Sequence, residues 1–526
     1  MITEIELENV RIFGGTGWHF SLPPLSVFCG TNNSGKSTIL KTLLLLRQSQ
    51  DIREHGAERQ GRLGLVGQQV DLGNYSSLVS HNETHRDILI AITIVDKMPF
   101  SLYRFLCLLN NENDNLSSTL VSYRLKSRFI FGISPTSNDE ATMISEPVAL
   151  KKAFYEISIN EKNVLSWEVV VSDSGIRNGP KYEMIIPKNL FELVKHKISK
   201  QTLLKINQYP LFENEQKPSQ EKIRFNTSLK GILPFGMSPK KAQKQLIPVE
   251  QPLPPIIREA TSDLDKALSD IHYLGPLRSP GKRHYVGAPN IDTDDPTGES
   301  IPFLLKERAI YHSTVWNCPP HQPNQPSETI LAHALTEWLY YFRTGNAPTQ
   351  ELTDNPEIEV SVKSDLYVEV KIKSVLAPHS YPLIDSGFGY SQVLPILVKG
   401  LLVKPGQTLV VEQPELHLNP ALQVRLADFI VAMVRTGKQV LIETHSEHIV
   451  DAIRVLYVED ETGQLENQCR IFFIDTELDK PNVLPLDIQT DGSVPNWPQH
   501  FFGEAASLTG RLLRAQKKFR NKSRIA

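Results

Sequence analysis

The sequence predicts an α/β fold built on a parallel sheet, split by a compact α+β insert and free of any long coiled coil. Three observations predict it. An apolar run, residues 24–29, leads into the glycine loop GTNNSGKST (Gly30 to Thr38) and on into a helical segment, Ile39 to Leu46. From Leu383 onward, helices alternate with short apolar strands at the spacing of a parallel sheet covered on both faces. Between these halves, residues 86–260 show no sustained heptad, so the insert is not a coiled-coil arm.

The chain opens with alternation at Ile5, Leu7, Val10 and Ile12, a strand leading toward the glycine loop. Within the insert, Asp87 to Ile94, Phe154 to Ile159 and Val164 to Val171 read as short strands, and Leu190 to Lys205 as an amphipathic helix. A polar, proline-rich stretch, Glu213 to Pro255, marks its end. The segment IHYLGPLRSPGKRHY (Ile271 to Tyr285) reads as a strand or turn followed by a basic loop. Ser391 to Val403 is helical, Thr408 to Val411 a buried strand ending in Glu412, Ala421 to Arg435 helical, and Val440 to Ile442 a buried strand ending in Glu443. The expected division is therefore 1–85 and 261–505 as two parts of one lobe, 86–260 as the insert and 506–526 as a basic tail.

At 526 residues and 40% hydrophobic content the chain is ordinary folded protein with room for two or three domains. Its net charge of -3 excludes a globally basic nucleic-acid binder and leaves two local patches. One is the loop carrying Arg278, Lys282 and Arg283; the other is the tail, residues 511–524, with Arg511, Arg514, Lys517, Lys518, Arg520, Lys522 and Arg524. Each reads also as solvated surface. Cys29, Cys107, Cys318 and Cys469 have no CxxC spacing, against a zinc site or a disulfide framework. MITEIELENV lacks a basic segment followed by an apolar run, and no stretch approaches the ~20 apolar residues of a membrane span. A cytoplasmic protein without a membrane partner is expected.

GxxxxGK[ST] between strand and helix is the arrangement in which backbone amides and a helix N-terminus surround phosphates. Gly30 and Gly35 permit the wrap, and Thr31, Asn32, Asn33 and Ser34 carry amides around it. Lys36 reaches the outer phosphates, Ser37 ligates Mg²⁺ and Thr38 closes the expected nucleotide-binding set. ATP with Mg²⁺ is the expected ligand; Arg11 reads either as leaning on the phosphates in cis or as a surface residue. The acidic second site, LVVEQPELHL, starts at Leu409, far beyond the glycine loop, which implies a split lobe. No NKxD base-reading motif is present, which excludes the GTPase type.

The order of SGFGYSQ (Ser386 to Gln392), EQPE (Glu412 to Glu415) and ETHSEH (Glu443 to His448) resembles that of ABC-type ATPases: signature, Walker B strand, switch histidine. Together with NVRIF, YLGPLR and the late NWPQHFF (Asn496 to Phe502), these motifs resemble bacterial SMC- and OLD-like AAA ATPases ending in a DUF3696-type segment. The resemblance covers residues 1–85 and 265–505. It implies an ABC-type P-loop ATPase head that dimerises head to tail around two ATP molecules. Ser386, Gly387, Gly389, Ser391 and Gln392 of one subunit would face Lys36 of the other.

It further implies that Glu412 holds Mg²⁺ with Ser37 and that His445 meets the γ-phosphate. Gln413 stands where these enzymes usually carry a catalytic glutamate. An amide accepts no proton, so either Glu415 substitutes or Gln413 orients water, and hydrolysis is expected to be slow. A metal site from His445, His448, Glu443, Glu447 and His417 is the competing reading, weakened because ETHSEH straddles a strand end. His417 and His448 read as structural, and Trp497 as part of a tail docking on the core.

Two classes of function follow. One is a regulatory ATPase acting on a separate effector, a nuclease or toxin, as in Septu-type or retron-associated anti-phage systems. The other is a self-contained OLD-like nuclease, for which the ~80 residues after His445 are expected to be too few to hold a Toprim domain. A DNA-repair ATPase of SMC type is weakened by the missing coiled coil.

Overall fold

The computed structural model describes residues 1–50, 60–97, 122–133, 148–172, 180–188, 222–239, 251–286, 294–348, 357–364, 367–373, 379–477, 480–498, 511–512 and 514. The expected helix Leu190 to Lys205 lies outside the described residues, as do Cys107, Gln499 to Phe502 and all of the tail but Arg511, Leu512 and Arg514.

The α/β class expected from the sequence is the one observed. A six-stranded sheet runs in the order Ile271–Leu274, Thr408–Glu412, Gln439–Glu443, Leu25–Gly30, Cys469–Glu477, Lys480–Leu486. All its pairings are parallel except the last. The glycine-loop strand thus lies between two strands from the C-terminal third, so neither end of the chain completes the sheet alone. Leu25–Gly30, Thr408–Glu412 and Gln439–Glu443 are buried along their whole length, as a parallel sheet covered on both faces requires.

The covering layers follow the period-two alternation. Val410 and Leu441 pack with Leu40, Leu43 and Leu44 of the helix Lys36–Gln50. Leu409, Val411, Val440 and Ile442 pack on the other face with Leu394, Leu397, Phe429 and Ile453. Those four belong to the helices Phe388–Leu402, Pro420–Arg435 and Glu447–Val458. Two of these helices start at side-chain caps: Asn419 accepts from the Leu422 amide at 3.0 Å and Ser446 from the Ile449 amide at 3.1 Å.

The described strands of residues 86–260 form no sheet of their own. They make an antiparallel meander that extends the N-terminal hairpin into one ten-stranded sheet, ordered Gln251–Pro252, Leu233–Pro239, Lys222–Lys230, Tyr182–Pro187, Lys162–Val171, Val148–Ile159, Ser122–Ile133, Ile88–Lys97, Ile2–Glu8, Trp18–Ser21. The junction is the register Ile5↔Ile92 and Leu7↔Ile90, which puts four core side chains on one face. The strands are longer than the sequence suggested, because ion pairs such as Lys152 with Glu168 at 3.0 Å tile the polar face. Among the described residues no long coiled coil occurs.

One buried lysine ties three carbonyls of the C-terminal part together, and burial lowers its pKa to about 7. Lys438, 1% exposed, donates through Nζ to the carbonyls of Gly400 (2.9 Å), Leu401 (3.3 Å) and Trp316 (2.9 Å). It thereby closes the C-terminus of the helix Phe388–Leu402 just before the strand Gln439–Glu443. Lys438→Met keeps the stem and orphans those carbonyls, so chemical denaturation is expected to show a loss of about 1–3 kcal/mol.

Candidate functional site

Gly30 ends the glycine-loop strand at φ 137° and Gly35 follows at φ 101°, both outside the range that L side chains favour. A Cβ on Gly30 would lie 1.8 Å from the Ile474 carbonyl oxygen, and one on Gly35 2.6 Å from Ile12 Cγ2. The loop is therefore pressed against the strand Cys469–Glu477 on one side and the turn after Ile2–Glu8 on the other. Thr31, Asn32 and Asn33 are exposed, and Ser34 is buried with its hydroxyl donating to the Thr31 carbonyl at 2.8 Å. Thr38 is buried in the first turn of the helix, its amide donating to the Gly35 carbonyl at 3.0 Å. This leaves an outward cradle of backbone at a helix N-terminus, the form that fits a phosphate chain.

Lys36 folds back into the loop, Nζ donating to the Thr31 carbonyl at 2.5 Å. Burial lowers its pKa, while Glu443, Cys29 and Glu415 oppose the shift. Burial pushes the neighbouring Cys29 thiol up to about 12, so it is a packed, inert sulfur. Arg11 is half-buried at φ 49°, and its amide donates to the Leu78 carbonyl at 2.7 Å. It sits next to Ile12, the residue that meets Gly35.

Two carboxylates end adjacent parallel strands. Glu412 and Glu443 are register partners, and each is 3% exposed. Tyr273 donates its phenol proton to Glu412 Oε1 at 3.0 Å, and Lys41 lies 3.9 Å from Oε2. Burial pushes Glu412 up to about 7; Lys41 opposes that shift and Glu443 adds to it. Ser37 donates instead to Glu443, Oγ to Oε1 at 2.8 Å, and burial raises Glu443 as well. The sequence pairs Ser37 with Glu412 alone; in the structure the carboxylate hydrogen-bonded to Ser37 is Glu443. The parallel register explains this, because Gln439–Glu443 lies between the Thr408–Glu412 and glycine-loop strands.

Gln413 is half-buried and takes a left-handed φ of 44°, and its amide donates to the Glu443 carbonyl at 2.7 Å. The carbonyls flanking this turn are held by Arg278, whose Nη2 reaches that of Glu412 at 2.8 Å and that of Gln413 at 3.3 Å. Arg278 is 6% exposed, its Nε and Nη1 have no hydrogen-bond partner, and burial lowers its pKa to about 10. The loop read as a basic patch is thus not one: Arg278 turns inward, Lys282 pairs with Glu299 and Arg283 with Asp385 at 3.0 Å.

Glu415 accepts from the Thr444 hydroxyl at 2.8 Å and the His445 amide at 2.7 Å, one on each oxygen. It braces the two strand ends with both oxygens engaged, a poor arrangement for a substitute base. His445 is half-buried, with its ring against the Gly30 backbone carbonyl, and its pKa is lowered by burial and by Lys36. His448 is exposed on the following helix, and among the described residues no group of three or more His, Cys, Asp or Glu is arranged to hold a metal.

The SGFGYSQ segment divides in two. Ser386 donates to the Leu383 carbonyl at 2.7 Å, Gly387 is exposed at φ 93° with nothing within 4 Å of an added Cβ, and Gly389 lies in the first helical turn. Ser391 and Gln392, assigned to the same outward loop, are each 2% exposed within the helix Phe388–Leu402. They are buried because the helix is enclosed on every side from Ser391 to Gly400, so Gly387 is the exposed residue among the described positions of the motif. Trp497 packs on the core with the Arg454 guanidinium 5.0 Å from its ring centroid.

The structure thus brings Lys36, Ser37, Glu412, Gln413, Glu415 and His445 together. Tyr273, Lys41 and the inward role of Arg278 were not legible beforehand. No curated protein sequence matches the chain. Among solved structures it is similar to an SMC head bound to the C-winged helix domain of ScpA, with TM-score 0.37, 10% identity, and 93% of this chain and 98% of that chain covered. The SMC head domain from Thermotoga maritima gives TM-score 0.34 and 8% identity, with 93% and 99% covered. The Smc head domain with an extended coiled coil from Pyrococcus furiosus, bound to the C-terminal domain of ScpA, gives 0.34 and 9%, with 92% and 96% covered. The AAA ATPase domain profile matches residues 1–274 and 330–450, running unbroken through 86–260. The chain belongs to the AAA ATPase domain family.

Proposed function

We propose that this protein is an ABC-type ATPase that closes head to tail around ATP·Mg²⁺, hydrolyses it slowly and controls a separate effector through the closed state. The carrying observation is the identity and setting of residue 413. Gln413, not a carboxylate, follows Glu412, and the nearest substitute, Glu415, has both oxygens engaged. The oxygen-rich, partly unsatisfied end of the parallel sheet fits Mg²⁺, with Ser37 and Glu412 as holders, and the glycine-loop backbone fits phosphates. Bound Mg²⁺ supplies charge neutralisation at the outer phosphates. Lys36 adds a fixed positive charge, and His445 sits at the loop mouth to meet the terminal phosphate. Gln413 is left to orient water without taking its proton.

The turn Ser386 to Gly389 is the surface proposed to meet a second subunit's nucleotide. Two residues before it Ile384 is 51% exposed, and the loop carrying Leu277, 80% exposed, meets the same segment where Gly281 approaches Leu383 and Ile384. Exposed apolar groups around a helix N-terminus suit a face that is covered on ATP binding. The resemblance to anti-phage defence ATPases supports a nuclease or toxin as the effector.

Mass photometry tests the reading. Wild-type protein with ATP and Mg²⁺ is expected at twice the 59.3 kDa chain mass. Lys36→Ala is expected to stay monomeric, and Gly387→Trp to bind ATP without dimerising. A wild type that stays monomeric at saturating ATP, hydrolyses tens of ATP per second or cuts plasmid unaided would overturn it.

A further inference from the structure

We propose that Glu443 is a second carboxylate of the cation site, acting beside Glu412 and orienting the Ser37 hydroxyl toward the metal. The inference rests on the ATP·Mg²⁺ reading above and goes beyond it in assigning a ligand-shell role to this residue.

Glu412 and Glu443 stand directly opposite each other on neighbouring parallel strands, each 3% exposed. Like charges in register across a sheet repel, and buried carboxylates need compensating partners. Glu412 has Tyr273 on one oxygen and the more distant Lys41 near the other. Glu443 has Ser37 on Oε1, while its Oε2 is buried without a hydrogen-bond partner. Lys36 and Lys41 are the nearby cations, yet Lys36 donates to the Thr31 carbonyl and Lys41 lies 3.9 Å from Glu412, so the Oε2 of Glu443 is left without a direct partner between two adjacent buried carboxylates.

Serine chemistry points the same way. A hydroxyl that ligates Mg²⁺ does so through an oxygen lone pair, so its proton must go to another acceptor. Glu443 Oε1 already takes that proton at 2.8 Å, which turns the lone pairs of Ser37 away from Glu443. Mg²⁺ dehydrates reluctantly and keeps several waters, each a donor that needs an acceptor. The free Oε2 of Glu443 is such an acceptor. Carboxylates that orient a ligating group in this way typically change metal affinity 10- to 100-fold when removed.

The test uses full-length protein with Mn²⁺ as the probe and a non-hydrolysable ATP analogue. Bound Mn²⁺ is read by electron paramagnetic resonance, and metal-free analogue affinity is read separately by fluorescence. Glu443→Gln is expected to weaken Mn²⁺ by about 10- to 100-fold. Metal-free analogue affinity should be equal or higher, because a negative charge beside the phosphates is gone. Its metal-free melting temperature should match or exceed that of wild type, since a repelling pair is relieved; a bracing role alone would lower it. If Glu443→Gln binds Mn²⁺ as wild type does while Glu412→Gln loses it, the inference is overturned and the ATP·Mg²⁺ reading stands. Should wild type itself fail to bind Mn²⁺ with the analogue, both fall.

Discussion

Gln413→Glu is expected to raise steady-state ATP hydrolysis by about 10²- to 10⁴-fold, the range that a positioned general base contributes. The exchange is nearly isosteric, and the backbone that carries it is held independently of the side chain. The Gln413 amide donates to Glu443, Arg278 grips the carbonyls of Glu412 and Gln413, and φ stays at 44°. The new carboxylate enters a neighbourhood where burial already raises Glu412, Glu443 and Glu415, which moves a base toward neutral pH. Coupled-enzyme phosphate release on both proteins, with binding of the ATP analogue as control, checks this. A faster variant should also shorten the lifetime of the ATP-dependent dimer. If the two rates agree within about threefold, Gln413 is not at the position of the water-activating residue.

Gly30→Ala is expected to be the most damaging single-methyl change in the fold. The new Cβ would sit 1.8 Å from the Ile474 oxygen and within 2.8 Å of the Ile474 nitrogen, all backbone atoms of a paired strand. They cannot swing aside as a side-chain tip can, so the pairing of Leu25–Gly30 with Cys469–Glu477 must open at its end. The φ of 137° adds backbone strain of about 1–3 kcal/mol. A total loss above about 4 kcal/mol is expected in urea unfolding, with ATP binding abolished. Gly387→Ala supplies the contrast. Its φ is 93°, but nothing lies within 4 Å of the added Cβ, so only the backbone cost of about 1–3 kcal/mol is expected.

These two glycines show what a motif hides. Both look alike in the sequence, yet one closes a sheet and the other is the exposed N-cap of a buried helix. The same holds for charge. Arg278, Lys282 and Arg283 read as one basic loop, and only the packing of that loop against Leu383 and Ile384 reveals one buried brace and two ion pairs. Ser391 and Gln392 belong to the same seven-residue motif as Gly387, but they lie where the helix Phe388–Leu402 is enclosed on every side by the core.

By itself the sequence determined the α/β class, the glycine loop with its flanking strand and helix, and the strand ends bearing Glu412 and His445. These are local matters of apolar run length, periodicity and turn chemistry, set within about twenty residues. Only the tertiary structure decided which acid meets Ser37, because strand order is not written in chain order. The strand Gln439–Glu443 inserts between Thr408–Glu412 and Leu25–Gly30, and that adjacency brings Glu443 Oε1 within 2.8 Å of a hydroxyl 406 positions away. It likewise decided that the strands of 86–260 continue the N-terminal hairpin. The unpaired edge of Ile2–Glu8 left backbone groups to satisfy, and Ile88–Lys97 satisfies them in register.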